Sequence, residues 1–212
     1  MSEVLAQQEP DVREPGMVRG VTVGTVVQNK DPEGLGRVKV RFPWRERADE
    51  SQWARLAMPM AGNGRGTWFL PEVGDEVLVA CDAERVEHPY VLGSLWNGQD
   101  PPPETNSDGK NDIRKIRSRS GHEIIFDDGA QGSIDIHLSD NKRKVRMDPD
   151  GIVINDDKGN QIEIKTLPGT LTIKSNTKIS IESKVIDIKA DTTMTLQATG
   201  TLTIKGALVM IN

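Results

Sequence analysis

Few side chains in this sequence have the chemistry that catalysis or metal binding requires. The histidines are His88, His122 and His137. None stands in a His-x-His pair, and the single cysteine, Cys81, has no second cysteine for a Cys-x-x-Cys motif. In a symmetric trimer, three copies of His122 and Glu123, or of His137 and Asp135, could together bind a metal ion. We favour solvated or packed histidines over either site. The sequence therefore predicts no metal ion and no cofactor.

One pair of adjacent carboxylates, Asp127 and Asp128, suggests the acid and base of a glycoside-cleaving site. Adjacent residues of a strand point to opposite faces, so this pair is poorly placed for that reaction. The sequence also contains no Ser-His-Asp order, no phosphate-binding loop and no dinucleotide fingerprint. We expect that the protein is not an enzyme.

Aromatic and basic side chains provide the remaining candidate binding groups. The tryptophans are Trp44, Trp53, Trp68 and Trp96. They would suit stacking on single-stranded nucleic acid, but a net charge of −5 leaves no bulk electrostatic attraction, so we favour packing roles. A basic cluster faces several acids, and we expect ion pairs there rather than a phosphate site. The cluster consists of Arg114, Lys115, Arg117 and Arg119, with Asp127, Asp128 and Asp135 opposite.

From about residue 151 onward, a short phrase repeats in which two aliphatic residues flank one polar residue. That alternation is typical of a strand with one buried and one wet face. Between successive phrases the spacing tightens from ten residues to seven or eight, which indicates a solenoid. We predict that the following aliphatics form the interior of a needle: Ile152, Ile154, Ile162, Ile164, Leu171, Ile173, Ile179, Ile181, Ile186, Ile188, Met194, Leu196, Leu202 and Ile204.

The period also predicts how many chains build this needle. Eight residues at about 3.3 Å each span about 26 Å, whereas a prism with walls about 10 Å apart needs a perimeter of about 60 Å. One chain cannot close that coil, but three chains can, each supplying one strand per layer. We therefore predict an intertwined three-chain β-helix and an obligate homotrimer.

Residues 20–98 carry five strand-like runs separated by Gly/Pro turns, as in a small β-barrel. Their motifs, among them WRERADESQWARLAMPMAGNGRGTWFLPEVGDEVLVA, resemble the oligonucleotide/oligosaccharide-binding (OB) barrel in the central spike of contractile injection systems. This family includes the phage baseplate assembly protein V and the VgrG spike of type VI secretion. The matching residues are Gly36, Arg37, Val38, Val40, Phe42, Trp44, Trp53, Ala61, Gly62, Gly66, Phe69, Pro71, Gly74, Asp75, Glu76, Val77, Pro89, Val91, Leu92, Gly93 and Asn97.

The residues and this resemblance together predict an all-β protein with five segments. These are an arm at 1–19, the OB-like barrel at 20–98, a linker at 99–112, neck strands at 113–150 and the needle at 151–212. The neck phrase SGHEIIFDD also resembles the spike family. The implied function is a structural spike that sits on baseplate hub proteins and is driven through a target envelope when a sheath contracts.

A separate tip protein is the second partner that the resemblance implies. The last phrase, GALVMIN, is almost wholly apolar and has no histidine cluster for a metal-stabilised point. We expect a PAAR-like protein to cover it. The predicted contacts are Leu208, Val209, Met210, Ile211 and Asn212.

Two other classes of function stay open at this point. One is a β-helical tailspike that binds or degrades polysaccharide, although an eight-residue period leaves no room for a carboxylate-lined groove. The other is an OB-fold protein that binds nucleic acid. The amino terminus has no basic region followed by an apolar run, so we predict assembly in the cytoplasm, without a signal peptide, and outward delivery on contraction. Phage tails, tailocins, extracellular injection particles and type VI systems all fit these features.

Overall fold

A computed structural model of the chain describes residues 20–45 and 50–211. The arm predicted at 1–19 and the last residue, Asn212, lie outside the described residues. The regular structure in these ranges is 14 β-strands and one short 3-10 turn, so the all-β prediction is confirmed. The chain divides into two compact units, residues 1–109 and 110–212.

The described residues of the first unit contain seven strands. They are β1 (Val21–Gln28), β2 (Lys39–Arg41), β3 (Arg55–Leu56), β4 (Ala61–Gly62), β5 (Arg65–Gly66), β6 (Glu76–Cys81) and β7 (Pro89–Ser94). The strands β4 and β5 form a separate small hairpin, and the other five form one sheet in the order β2-β1-β6-β7-β3. The 3-10 turn, Asp82–Glu84, connects β6 to β7.

This five-stranded sheet closes on itself as a barrel. Val38 and Ala54 exchange two backbone hydrogen bonds of 3.0 and 2.7 Å, which joins the segment before β3 to the segment before β2. On its other side, β3 runs parallel to β7, with Arg55 opposite Tyr90. The ring is therefore β1-β2-β3-β7-β6, antiparallel except for the β3-β7 pair. That is the strand order of an OB barrel.

Alternating valines fill the barrel. In β6, Val77 and Val79 point inward, and Val38 and Val40 do the same in and beside β2; all four are fully buried. The period of two follows from the pleat of the strands. One polar residue, Ser51, is buried among them, and its hydroxyl accepts the Val40 N–H at 3.0 Å and donates to the Gln52 carbonyl at 2.6 Å. Both hydroxyl roles are thereby satisfied.

The second unit contains one seven-stranded antiparallel sheet, in which every strand pairs with the next one along the chain. Its strands are β8 (Ile113–Arg117), β9 (Glu123–Asp127), β10 (Ser133–His137), β11 (Lys144–Asp148), β12 (Gly151–Asn155), β13 (Gln161–Lys165) and β14 (Thr170–Lys174). The pairing does not change at 150, where the sequence placed the end of the neck. Phrases nine or ten residues apart leave four or five residues for a turn after a five-residue strand, so the hairpins continue to Lys174.

Side-chain caps close the turns of this meander. Asp127 accepts the Gly129 N–H at 2.8 Å, Asp140 accepts that of Lys142 at 3.0 Å, and each carboxylate thereby fixes its own turn. The backbone of Gly151 adopts φ +149°, and a Cβ there would overlap the carbonyl oxygen of Ile164 on the neighbouring strand. Only glycine fits this close approach of β12 and β13.

Beyond Lys174 the described part of the chain has no assigned strand. From residue 176 to residue 211 every described residue is exposed, including the aliphatic ones. This stretch keeps the alternation of aliphatic and polar residues, but none of its described residues forms a strand pair with the described rest of the chain.

Candidate assembly interface

The seven-stranded sheet carries two unbroken columns of apolar side chains on one face. Directly paired residues on neighbouring strands point to the same face of a sheet, so the strand register defines each column. The first column is Ile116, Ile124, Ile136, Val145, Ile154, Ile162 and Ile173. The second is Phe126, Ile134, Met147, Ile152, Ile164 and Leu171.

These columns, which we call the aliphatic face, are not covered by the described part of one chain. Its exposed members retain between 37% and 63% of their accessible surface, whereas the inward valines of the barrel retain none. A soluble chain rarely leaves a continuous apolar surface of this extent open to water. The arrangement is suited to burial against other polypeptide.

The six predicted needle residues between Ile152 and Ile173 all lie on this face, in adjacent positions. Seven further members were missed by sequence reasoning, which had limited the needle interior to residues after 150. The missed members are Ile116, Ile124, Phe126, Ile134, Ile136, Val145 and Met147. The same spacing of two in Ile124/Phe126, Ile134/Ile136 and Val145/Met147 was the available signal.

The other predicted needle and tip residues lie in the stretch without assigned strands. The structure brings none of them against another strand of the described chain, and all of them are exposed. They are Ile179, Ile181, Ile186, Ile188, Met194, Leu196, Leu202 and Ile204 of the predicted needle, and Leu208, Val209, Met210 and Ile211 of the predicted tip contact. Asn212 is outside the described residues.

Ion pairs cover the opposite, polar face of the sheet. Glu123 is central to them: its carboxylate lies 3.4 Å from Arg117 Nε, 3.9 Å from Lys115 Nζ and 3.3 Å from His137 Nε2. Sequence reasoning had assigned Asp135 to this cluster, but Asp135 pairs with Arg146 at 2.9 Å instead. The strand register explains the difference, because it places Arg117, Glu123 and His137 side by side.

Two further ion pairs lie in the neck. Arg114 pairs with Asp128 at 2.7 Å, as the basic cluster predicted. Arg146 also donates to Asp148 at 2.8 Å, and this bond lowers the pKa of the Asp148 carboxyl below its ordinary value. Oppositely charged neighbours at fixed positions oppose slippage of the strands.

The two adjacent carboxylates that were considered as a catalytic pair have different partners. Asp127 caps its turn while Asp128 pairs with Arg114, so the two adjacent carboxylates act separately. In residues 20–45 and 50–211 of one chain, no group of three or more His, Cys, Asp or Glu side chains could hold a metal ion. Burial raises the pKa of the Cys81 thiol, which disfavours its thiolate.

The tryptophans of the barrel have different environments. Trp44 stacks on Phe42 with 5.4 Å between ring centroids and donates to the Thr22 hydroxyl at 3.1 Å. Lys39 and Arg37 lie over the ring of Trp53, at 5.4 and 5.9 Å from its centroid. These two therefore have packing roles within the chain.

Trp68 and Trp96 are both 71% exposed, so packing within one chain does not explain them. A Cβ added at Gly36 would approach the ring of Trp68 to 2.9 Å, which shows that Trp68 lies against the loop after β1. Neither ring belongs to the barrel core.

In the described part of the chain, no helix has the length and apolar character needed to cross a bilayer.

Comparison with known proteins identifies the barrel. Residues 22–96 match the type VI secretion system/phage-baseplate injector OB domain. The chain is also similar to the type VI secretion system spike protein VgrG4b of Pseudomonas aeruginosa, with 32% identity over 139 residues. Two proteins of Vibrio cholerae are similar as well: the actin cross-linking toxin VgrG1, with 26% identity over 159 residues, and the spike protein VgrG3, with 29% over 125.

These alignments cover 56%, 71% and 53% of this chain but only 17%, 14% and 12% of the respective relatives. The chain thus spans a small part of the length of the curated relatives it matches. The resemblance to spike proteins of contractile injection systems is confirmed, and so is the OB fold of the barrel.

Proposed function

We propose, from the injector OB domain at residues 22–96 and the similarity to VgrG spike proteins, that this chain forms the structural spike of a contractile injection apparatus. In this role the barrel sits on baseplate hub proteins. The needle is driven through the target envelope when the sheath contracts, so the contact with a membrane is mechanical puncture. The protein is assembled inside the cell as part of the apparatus and is delivered outward.

The uncovered aliphatic face supports this proposal most directly. Each chain presents two apolar columns that its described residues leave largely exposed, and the same alternation continues to Ile204. Three such faces, turned toward a common axis, would cover one another as the walls of a triangular prism. The needle aliphatics from Ile152 to Ile204 would then form a dry interior, and the spike would be a homotrimer.

The stiffness of such a needle has a physical basis. Every buried aliphatic contributes roughly 1.5 to 3 kcal/mol before conformational entropy is subtracted, and each layer would bury two from every chain. Every backbone group of an interior layer would also be hydrogen-bonded to the layers beside it. The proposed role is therefore mechanical and involves no catalysis.

A PAAR-like tip protein is the proposed partner of the final phrase. Leu208, Val209, Met210 and Ile211 are between 48% and 88% exposed, and their apolar surface suits a protein that adds strands and covers it. Replacing Leu208 and Met210 with serine should abolish capture of a purified PAAR-repeat protein while the spike stays trimeric. Undiminished capture would contradict the assignment of this contact.

Sedimentation of the folded chain tests the proposed function. Three copies of a 23.3 kDa chain have a mass of about 70 kDa, and we expect this species at every concentration at which the protein is folded. A folded, stable monomer would contradict the proposal, because its aliphatic face would then have no function in assembly.

A further inference from the structure

The barrel leaves large apolar side chains exposed at one of its two ends. β1 ends where β6 begins, since Thr25 lies opposite Glu76. β7 ends there as well, since Ser94 lies opposite Val77. The exposed side chains at this end, which we call the barrel-end surface, each retain between 59% and 71% of their accessible surface. They are Leu35, Trp68, Phe69, Val73 and Trp96.

Contacts between loops hold the barrel-end surface in place. The Asn29 side chain donates to the Pro71 carbonyl at 3.0 Å and joins the loop after β1 to the segment before β6. The Trp68 ring lies against Gly36, next to Leu35 in the same loop. The surface is therefore preformed, so covering it costs little conformational entropy.

The hairpin of β4 and β5 leads directly into this surface. Its strands pair only with each other among the described strands, and residues 59–66 are all exposed. A two-stranded hairpin without further support is at best marginally stable in water. Its shape is nevertheless specific, because Gly66 has φ +149° and a Cβ there would lie 2.5 Å from the Met60 carbonyl oxygen. Such a hairpin suits burial against another protein surface.

The length of the linker indicates which protein covers the surface. Residues 95–112 connect β7 to β8 and span at most about 60 Å. In the proposed trimer, three barrels are attached by such linkers to one shared needle. The barrel of another copy is therefore present at an effective concentration of about millimolar.

The size of the surface fits a tethered contact. Five large side chains and a short hairpin are fewer than the roughly 20 to 30 residues per partner found in stable complexes of free proteins. A patch this small does not hold free proteins together, but it is sufficient when a shared needle already holds the partners close.

We propose that the barrel-end surface and the β4-β5 hairpin of one chain pack against the barrel of a second copy, so that the three barrels form a closed ring. This inference rests on the proposed trimeric spike and adds a contact between barrels to the contact between needles. In a ring of three, the barrel-end surface meets a different surface of the next barrel. A label at one position of the barrel-end surface therefore reports the contact.

A photoreactive side chain tests this contact in the full chain. The variant Phe69→benzoylphenylalanine is purified as the trimer and irradiated. We expect covalently linked chains on a denaturing gel, and mass spectrometry should place the linked residue within residues 20–98 of the second chain. The control carries the same group at Glu87, an exposed residue between β6 and β7 at the opposite end of the barrel. It should give no linked chains.

The outcomes separate this inference from the proposed function. Linkage only within one chain, linkage outside residues 20–98, equal linkage from both positions, or none in a protein that sediments as a trimer would each overturn the barrel contact. The proposed spike function would stay intact in all four cases. A folded monomer in sedimentation would instead refute the proposed function.

A second substitution tests whether the apolar side chains hold the contact. In the Phe69→benzoylphenylalanine background, Trp68→Ser should lower the yield of linked chains about tenfold, as expected for the loss of a large aromatic anchor. The matched control is Val21→Ser, which removes an exposed apolar side chain at the opposite end of the barrel and should leave the yield unchanged. An unchanged yield in Trp68→Ser would contradict the role of the barrel-end surface.

Discussion

Arg37 binds the carboxylate of Asp31 at two points, with Nε and Nη2 each 2.8 Å from a different oxygen. The carboxylate also accepts the backbone N–H groups of Glu33, Leu35 and Arg37, and its side chain is only 3% exposed. The hydrogen bonds from Arg37, followed by those from the backbone, hold the pKa of Asp31 well below its usual range. One carboxylate thus organises the whole loop between β1 and β2.

Replacing Asp31 with asparagine should lower the melting temperature at pH 7 by several degrees. A carboxyl whose pKa is lower in the folded state stabilises that state above its unfolded pKa, near 4, and progressively less as the pH falls toward the folded value. The difference between the native protein and Asp31→Asn should therefore shrink below about pH 4. Thermal melts followed by circular dichroism between pH 2 and pH 7 measure it, and a difference independent of pH would contradict the explanation.

Asp140 provides the matched control for this prediction. The Arg143 side chain, with the Lys142 backbone, lowers the pKa of Asp140 to about 2, but the two side chains of this pair are 32% and 60% exposed. Solvent screens such a pair, so Asp140→Asn should change the melting temperature much less than Asp31→Asn does. An equal effect would mean that burial does not distinguish the two pairs.

Gly151→Ala should disrupt the pairing of β12 with β13. The added Cβ would overlap the Ile164 carbonyl oxygen, and the positive φ is itself unfavourable for alanine. We expect a loss of about 1 to 3 kcal/mol of unfolding free energy per chain, measured by denaturant unfolding. Gly200→Ala is the control, because a Cβ there meets no atom within 4 Å. If the two variants are equally stable, the backbones of β12 and β13 lie further apart at Gly151 than described here.

Ile181→Asp should prevent trimer assembly or fray the needle around residue 181. In the proposed trimer it would place three unpaired carboxylates at the axis within one layer. Thr172→Asp, on the polar face, should still assemble, with only a small loss of stability from the like charge of Glu163 opposite it. Sedimentation and thermal melts compare the two variants. If both assemble and melt alike, the assignment of inward and outward residues is wrong.

The length of the needle is a further prediction. The eight phrases from Gly151 onward would add one strand spacing of about 4.8 Å each, or a shaft of about 40 Å, excluding the neck. The strands β8 to β11 should extend the same prism by about four further spacings. Electron microscopy of the trimer measures this length, and a clearly different value would rule out one strand per phrase.

The sequence alone determined the local features of this protein. The period of two in phrases such as Ile162/Ile164 defined strands and their apolar side, because the alternation of side chains is a property of a single strand. The barrel was recognisable for a related reason: its turns and inward valines are short-range patterns. The spike family followed from the motifs between Gly36 and Asn97, and residues 22–96 match the injector OB domain.

Only the tertiary structure decided which strands pair, and in what register. The parallel contact of Arg55 with Tyr90 joins residues 35 positions apart, and no local pattern encodes it. Likewise, Glu123 became the partner of Arg117 and His137 because three strands align there. The hairpins end at Lys174, where the Ser175 hydroxyl donates to the Asn160 side chain. These outcomes depend on turn geometry and on contacts between distant residues, whose energies a linear pattern does not contain.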